Sequence, residues 1–324
     1  MSMTKMQREQ RWGTTRHNMR SLDLPPPFRL LVLREAGDAF AHACAHAPRL
    51  GAGMLVFVGR FDVAEFAVVL EPEEELGGAR RSFYAGMSAI ADALSALAPP
   101  ETPIAIEWPD RLEVGRGFVG GGRLGWPELA DEHARPDWLV FGAVIRLVSL
   151  TMAVDGVGET TQSPPSSSTR RRPGSSLPRH EPSEEFSNAS PLLDDPGATE
   201  ALVPAFAGTT RGAIAHKSPG LMHSKYRLPT SLADEGFGEA TAERLVEGFA
   251  RHLMVVIDRW QEGGFAAIAP GYLSHLRPER GVRQAIDASG NLRIEGRGRP
   301  AKSLDLRAAL AMPSWLERFC GDGR

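Results

Sequence analysis

Between Gly156 and Ser224 the chain stops carrying any hydrophobic period. This stretch holds nine of the 25 prolines together with eleven serines, and it shows neither the two-residue alternation of a strand nor the 3.6-residue stripe of a helix. Such a composition cannot bury enough apolar surface to offset the entropy of ordering a chain, roughly 1 to 2 kcal/mol per residue. Structureless connections of this length are rare inside a compact domain. The folded part must therefore be assembled from the sequence on either side, with residues 156–224 as a disordered insertion between two halves of one fold. The basic run TRRRP at 169–173 is read as solvated linker charge rather than as a nucleic-acid patch.

Composition then narrows the classes. The 324 residues suffice for one large domain and a small one, and 42% hydrophobic with 24% charged residues is ordinary for a soluble globular protein. A net charge of -3 supplies no strongly basic face, so neither nucleic acid nor an anionic membrane is expected as a partner. Cys44 and Cys320 stand far apart, without CxxC spacing or histidines in ligand register. A disulfide framework or zinc site is not expected, and a reducing cytoplasm suits the chain. His42 and His46 lie four apart with no third ligand in view, so no metal site is assigned. No apolar run approaches the roughly 20 residues that span a bilayer. Residues 1–20, rich in Met and Arg, lack the apolar region of a secretory signal and are read as a disordered tail.

Outside these segments the periodicities predict an α+β fold. RLLVL at 29–33 reads as an edge strand, GDAFAHACAHA at 37–47 as a short helix, and MLVFVG and FAVVLEP as strands joined by a turn over Gly59 to Asp62. Phe83, Met87, Ile90, Leu94 and Leu97 recur at helical spacing. Strands follow at IAIEW, GFVGGGRLGW and DWLVFGAVIRLV, and beyond the insertion Leu245, Phe249, Leu253, Val256 and Trp260 form the stripe of a long helix. Helices and strands are segregated rather than alternated, which predicts a mixed, largely antiparallel sheet packed with helices over residues 21–280. Residues 281–324 read as a small C-terminal β domain of three short strands, with a hairpin turn at ASGN and a last short helix near PSWLERF.

The smallest residues cluster in IAIEWPDRLEVGRGFVGGGRLGW at 104–126, where Trp108-Pro109-Asp110 precedes Gly120, Gly121 and Gly122. Three glycines in a strand mark either a bulge or a place where a ligand or another backbone comes close, because no Cβ stands in the way. A tryptophan at a strand end serves in a core as readily as in a ligand wall.

Taken in order, the helix, the glycine-bearing strand pair, the second helix, EWPD, GFVGGG, WLVFGAVIRL, the long helix ending DRWQEGGF and the small β region resemble the biotin-protein ligase and lipoate-protein ligase family. The resemblance covers nearly all of residues 21–310 apart from the insertion. Trp108-Pro109-Asp110 is similar to the family's K-W-P-N-D motif, and the glycines follow where the family has G-K-x-x-G. The segment 243–276 resembles the helix pair that precedes the family's C-terminal domain.

This resemblance implies an enzyme that joins a biotin- or lipoate-type acid to AMP, using ATP and Mg²⁺, and passes the acyl group to a lysine of a biotinyl or lipoyl carrier domain. It implies that Gly120, Gly121 and Gly122 line the acyl-adenylate pocket, with Gly51 and Gly53 of RLGAGMLVFVGRFD doing the same from the facing loop. Trp108 would supply an apolar wall, Pro109 would aim Asp110 at the nucleotide, and Arg60 and Arg111 would meet phosphates.

Three places depart from the family's motifs. Glu107 stands for the lysine before the tryptophan, Asp110 and Arg111 for the Asn-Asp pair, and Phe118 for the lysine before the glycine pair. That last lysine draws charge from the carboxylate and α-phosphate as the anhydride forms, and losing one preorganised donor costs on the order of 3 to 4 kcal/mol in barrier. Arg123 and Asp110 are assigned the catalytic work, with Arg60 and Arg111 as further cations. Two classes stay open: an adenylating ligase, and a catalytically impaired member that binds a cofactor, nucleotide or carrier protein without turnover. A cysteine-nucleophile acyltransferase is disfavoured, since neither cysteine neighbours an activating base in sequence.

Overall fold

A computed structural model describes residues 22–35, 37–149, 228–238, 240–296, 298 and 300–316. The predicted tail, the predicted insertion and Cys320 lie outside the described residues. The elements run β1 (Arg29–Leu33), α1 (Ala39–Leu50), β2 (Met54–Val58), β3 (Val63–Leu70), α2 (Leu76–Ala79), α3 (Ser82–Leu97), β4 (Ile104–Glu107), β5 (Arg111–Val114), β6 (Gly117–Gly125) and β7 (Leu139–Arg146). Beyond residue 228 come α4 (Ala242–Gly263), α5 (Phe265–His275), β8 (Val282–Ile286), β9 (Leu292–Gly296), β10 (Lys302–Leu304) and α6 (Leu306–Leu310).

Seven strands form one sheet in the order β1-β2-β3-β7-β6-β5-β4. Only β1 and β2 are parallel; all other neighbours are antiparallel. The sheet is therefore mixed and largely antiparallel, and β8 to β10 make a separate three-stranded antiparallel sheet. Both agree with the expected fold class. Strand β5, RLEV, was not expected. Its alternate residues are Arg111 and Glu113, and charged side chains on a strand read as solvent-facing, whereas here both are buried in an ion-pair cluster. Helix α6 was not expected; it starts at Leu306, where the Asp305 carboxylate accepts from Ala308 N–H at 2.7 Å, and residues 317–319 of the helix expected near PSWLERF lie outside the described residues.

Strand alternation divides the sheet into two faces. On one, Phe66, Phe141, Ala143 and Ile145 meet α3 and α4 in the main core, where Phe141 stacks on Phe249, Phe66 tilts against Phe249 and Phe83 tilts against Phe141. On the other, α1 covers only part of the surface. Its small residues Ala39, Ala43 and Ala47 sit against Val56, Ala67, Val69 and Val140. The C-terminal sheet is tied to α3, with the Tyr84 hydroxyl donating to Gly290 O at 2.5 Å and Arg81 donating to Ala288 O at 2.7 Å. No helix among the described residues is long and apolar enough to cross a membrane.

Candidate active site on the glycine face of the sheet

The face carrying α1 holds one continuous row of facing residues. Val58 pairs with Glu65, Glu65 with Val144, Val144 with Gly121, Gly121 with Arg111, and Arg111 with Glu107. At the spacing of paired strands, Glu65 and Arg111 stand roughly 14 Å apart with only Val144 and Gly121 between them. The row thus has an acidic end, a floor of small side chains and a basic end.

The floor depends on a bulge. The β5–β6 register shifts between Leu112 and Glu113, so that Glu113 pairs with Phe118 and Leu112 with Gly120. One extra residue is accommodated in β6, which brings Phe118 and Gly121, three apart in sequence, to the same face. Gly120 takes a φ of +146°, and a Cβ there would run into the Val144 carbonyl. Gly122 faces the core, where a Cβ would strike the Met87 sulfur at 2.5 Å. Only Gly121 presents its bare backbone to the site, and a Cβ on it would meet the Asp110 carbonyl and the indole of Trp315. The three glycines therefore serve three different contacts.

At the acidic end, the N-terminus of α1 meets the sheet. Asp38 caps the helix through Ala41 N–H at 2.8 Å, and buried Glu65 accepts from Ala39 N–H at 3.0 Å. Burial pushes the Glu65 carboxyl above its usual range, opposed by that hydrogen bond. Arg123 donates to Asp38 at 2.9 Å and lies over the Phe40 ring at 4.2 Å. From the β2–β3 turn, Arg60 forms two hydrogen bonds to Asp62, at 3.0 and 2.8 Å, and stands 4.0 Å from Glu65. Hydrogen bonding to Arg60 holds the Asp62 carboxyl below the usual range.

At the basic end, Arg111 is ion-paired with Glu107 and, at 3.3 Å, with Glu113, which Arg277 also reaches at 3.3 Å. The Arg111 guanidinium lies over the Phe118 ring at 5.5 Å. Phe118 is itself buried, and its backbone bonds to Leu228 O and Thr230 N–H where the described chain resumes. An aromatic ring under a guanidinium thus stands at position 118.

Beside the basic end sits Asp110, at the corner joining β4 to β5 after a cis Trp108–Pro109 bond. Its carboxylate accepts from Ser314 N–H at 2.7 Å and from the Ser314 hydroxyl at 2.5 Å. Burial pushes its pKa up to about 6 against the pull of those two bonds.

Of the residues singled out in the sequence, Arg60, Asp110, Arg111, Gly121 and Arg123 come together on this face, with Gly120 and Gly122 shaping it. Gly51 and Gly53 do not join them. They form the α1–β2 turn, where Gly53 has a φ of +77° and a Cβ would hit the Pro27 carbonyl. That turn precedes β2, whereas Val58 at the other end of β2 reaches the row, about 16 Å further on. Trp108 turns its indole toward α3, donating to the Tyr84 hydroxyl at 3.1 Å and packing on the main core.

Asp38, Ser314 and Trp315 were not anticipated. Asp38 carried a signal, since an Asp before an apolar-periodic run is an N-cap pattern. Burial pushes the Cys44 thiol up to about 12, so it stays protonated and packs beside Gly125. Among the described residues no group of three or more His, Cys, Asp or Glu could hold a metal ion.

The sequence pattern of the biotin/lipoate A/B protein ligase family matches residues 24–164 and 203–274. The chain belongs to that family. No curated protein sequence matches it. Among solved structures, the fold is similar to that of a biotin protein ligase-like protein of unknown function from Silicibacter sp. TM1040, with a TM-score of 0.59 at 20% identity, covering 90% of this chain and 100% of that one. It is also similar to the apo biotin protein ligase of Aquifex aeolicus, with a TM-score of 0.50 at 12% identity, covering 86% and 95%. The Aquifex ligase in complex with biotin and ATP aligns at a TM-score of 0.49 and 11% identity, covering 85% and 95%.

Proposed function

We propose that this chain binds a biotin- or lipoate-type carboxylic acid together with ATP on the glycine face, activates the acid as its acyl-adenylate and transfers it to a lysine of a carrier domain. The observation that carries this reading is the row from Glu65 to Arg111, in which the small floor of Val144 and Gly121 lies between arginines at either end. A flat floor admits an extended acyl-nucleotide lying across the strands, and Arg60, Arg123 and Arg111 are the cations its phosphates would reach. Mg²⁺ would enter with the nucleotide, held mainly by phosphate oxygens, since the described residues offer no cluster of acidic ligands of their own. When bound it would supply charge neutralisation at the phosphates. Pyrophosphate release measured with biotin, lipoate and octanoate in turn tests the reading. Acid-dependent release that falls in rate more than in affinity on Arg123→Ala supports it, and no release with any acid sinks the catalytic part.

One observation favours the second reading, binding without turnover: each of the three arginines is paired with a carboxylate, and position 118, where the resemblance implies a lysine, carries a phenylalanine under Arg111. A lysine introduced alone at 118 would sit beneath the like charge of Arg111. The double variant Phe118→Lys/Arg111→Asp pairs the new cation instead, and under this reading it gains acid-dependent pyrophosphate release that the wild type and Phe118→Lys lack.

A further inference from the structure

The middle of the glycine row is occupied by the chain's own C-terminal segment. Trp315 is fully buried and is the largest fully buried side chain described. Its indole N–H donates to Gly122 O at 3.0 Å, and its ring rests on Gly121. Beside it, Ser314 holds Asp110 through both its backbone N–H and its hydroxyl. These contacts fall on the residues that the functional reading assigns to the ligand.

Helix α6 is anchored by Leu306 and Leu310 in the main core, whereas Trp315 lies with Val63, Val144 and Leu316 in a cluster separate from that core. Between the two anchors Met312 is exposed and Pro313 follows it. The segment forms no ladder with the sheet. Among the described residues, an internal backbone bond runs from Leu316 N–H to Pro313 O at 3.4 Å. A short segment docked through its own small cluster can open locally without opening the main core.

We propose that Ser314 and Trp315 are an intramolecular competitor for the ligand: in the resting protein the segment Pro313–Leu316 closes the glycine face, and it swings out about Ala311–Pro313 when an acid or nucleotide binds. This rests on the assignment of that face to the ligand. The indole covers Val63 and Val144, hydrogen-bonds to the Gly122 carbonyl and fills the space above Gly121, so a ligand seated there meets the same atoms and cannot coexist with it. The affinity observed for any ligand is then the intrinsic affinity reduced by the fraction of molecules in which the segment is out.

Two measurements on the full chain test this. In the ligand-free protein, the amides of Ser314 and Trp315 exchange hydrogen at least a hundredfold faster than that of Val144 in β7, because they exchange through local opening. Exchange as slow as that of Val144 overturns the proposal. Calorimetric titration with ATP–Mg²⁺, biotin, lipoate and octanoate is then compared among wild type, Trp315→Ala and Ser314→Ala. At least one probe binds Trp315→Ala tenfold or more tighter than wild type, and Ser314→Ala severalfold tighter. Equal or weaker binding by these variants overturns the competitor. If Trp315→Ala does not fold, Ser314→Ala, which removes one hydrogen bond, decides. Failure of every probe to bind any of the three proteins overturns the ligand assignment of the face itself, and the competitor with it.

Discussion

The two faces of the seven-stranded sheet are made by the same strands and treated in opposite ways. On the face of α3 and α4, Phe66, Phe83, Phe141 and Phe249 interlock with Met87, so nothing can leave without exposing a large apolar surface. On the opposite face the floor is of glycine and valine, Arg123 pairs with Asp38, Arg60 with Asp62 and Arg111 with Glu107, and the cover includes α1 and a short segment around Trp315. The difference shows how one sheet can be rigid and still offer a site. Stability is concentrated on one side, which frees the other to carry arginines, carboxylates and a bare backbone.

That contrast can be broken most forcefully at Phe141. Phe141→Ala opens a cavity where three aromatic rings meet, and an equilibrium denaturation curve should show a loss of about 3 to 5 kcal/mol. Trp315→Ala removes a larger side chain yet should cost no more than about 2 kcal/mol in the same experiment, because the loss is capped by the free energy of docking a segment that opens locally. A loss as large as that at Phe141 would make the two faces alike.

A smaller effect concerns pH. The folded-state pKa of Asp110 is raised to about 6, chiefly by burial, above the roughly 3.9 of an unfolded chain. The fold binds this proton more tightly than the unfolded chain does, so the contribution of protonated Asp110 is present at low pH and is lost as pH rises through 6. The stability of wild type relative to Asp110→Asn should therefore increase by about 1 kcal/mol between pH 7 and pH 5, measured by denaturation at each pH. A flat or opposite difference would mean that the two Ser314 hydrogen bonds outweigh burial. The smallest effect is expected at the edge of the site. A double-mutant cycle on Arg123 and Asp38 should give a coupling of about 0.2 to 1 kcal/mol that weakens with salt, because Asp38 is half exposed.

Much of the fold was legible in the amino-acid order. Helices and strands announce themselves by period, so α1, α3, α4, β2, β3, β6 and β7 follow from where apolar residues recur, and Trp108-Pro109-Asp110 with the three glycines pointed to the family. Strand β5 was hidden because its charged residues look solvent-facing until their partners, Glu107 and Arg277, arrive from a neighbouring strand and from the chain beyond α5. For the same reason a glycine says that a backbone needs room without saying for what. Gly53 makes room for Pro27, Gly120 for Val144 and Gly121 for Asp110 and Trp315, and nothing local distinguishes these neighbours.

By itself, then, the order of residues determined the element types, the mixed sheet and the family, because hydrophobic period and turn chemistry act between residues close in the chain. Only the tertiary structure decided that Arg111 covers Phe118, that Arg123 is bound to Asp38, and that Trp315 lies on Gly121, 194 positions before it in the chain. Such contacts depend on which strand face a residue occupies after a one-residue bulge, and that shift turns side chains over without leaving a periodic trace in the sequence.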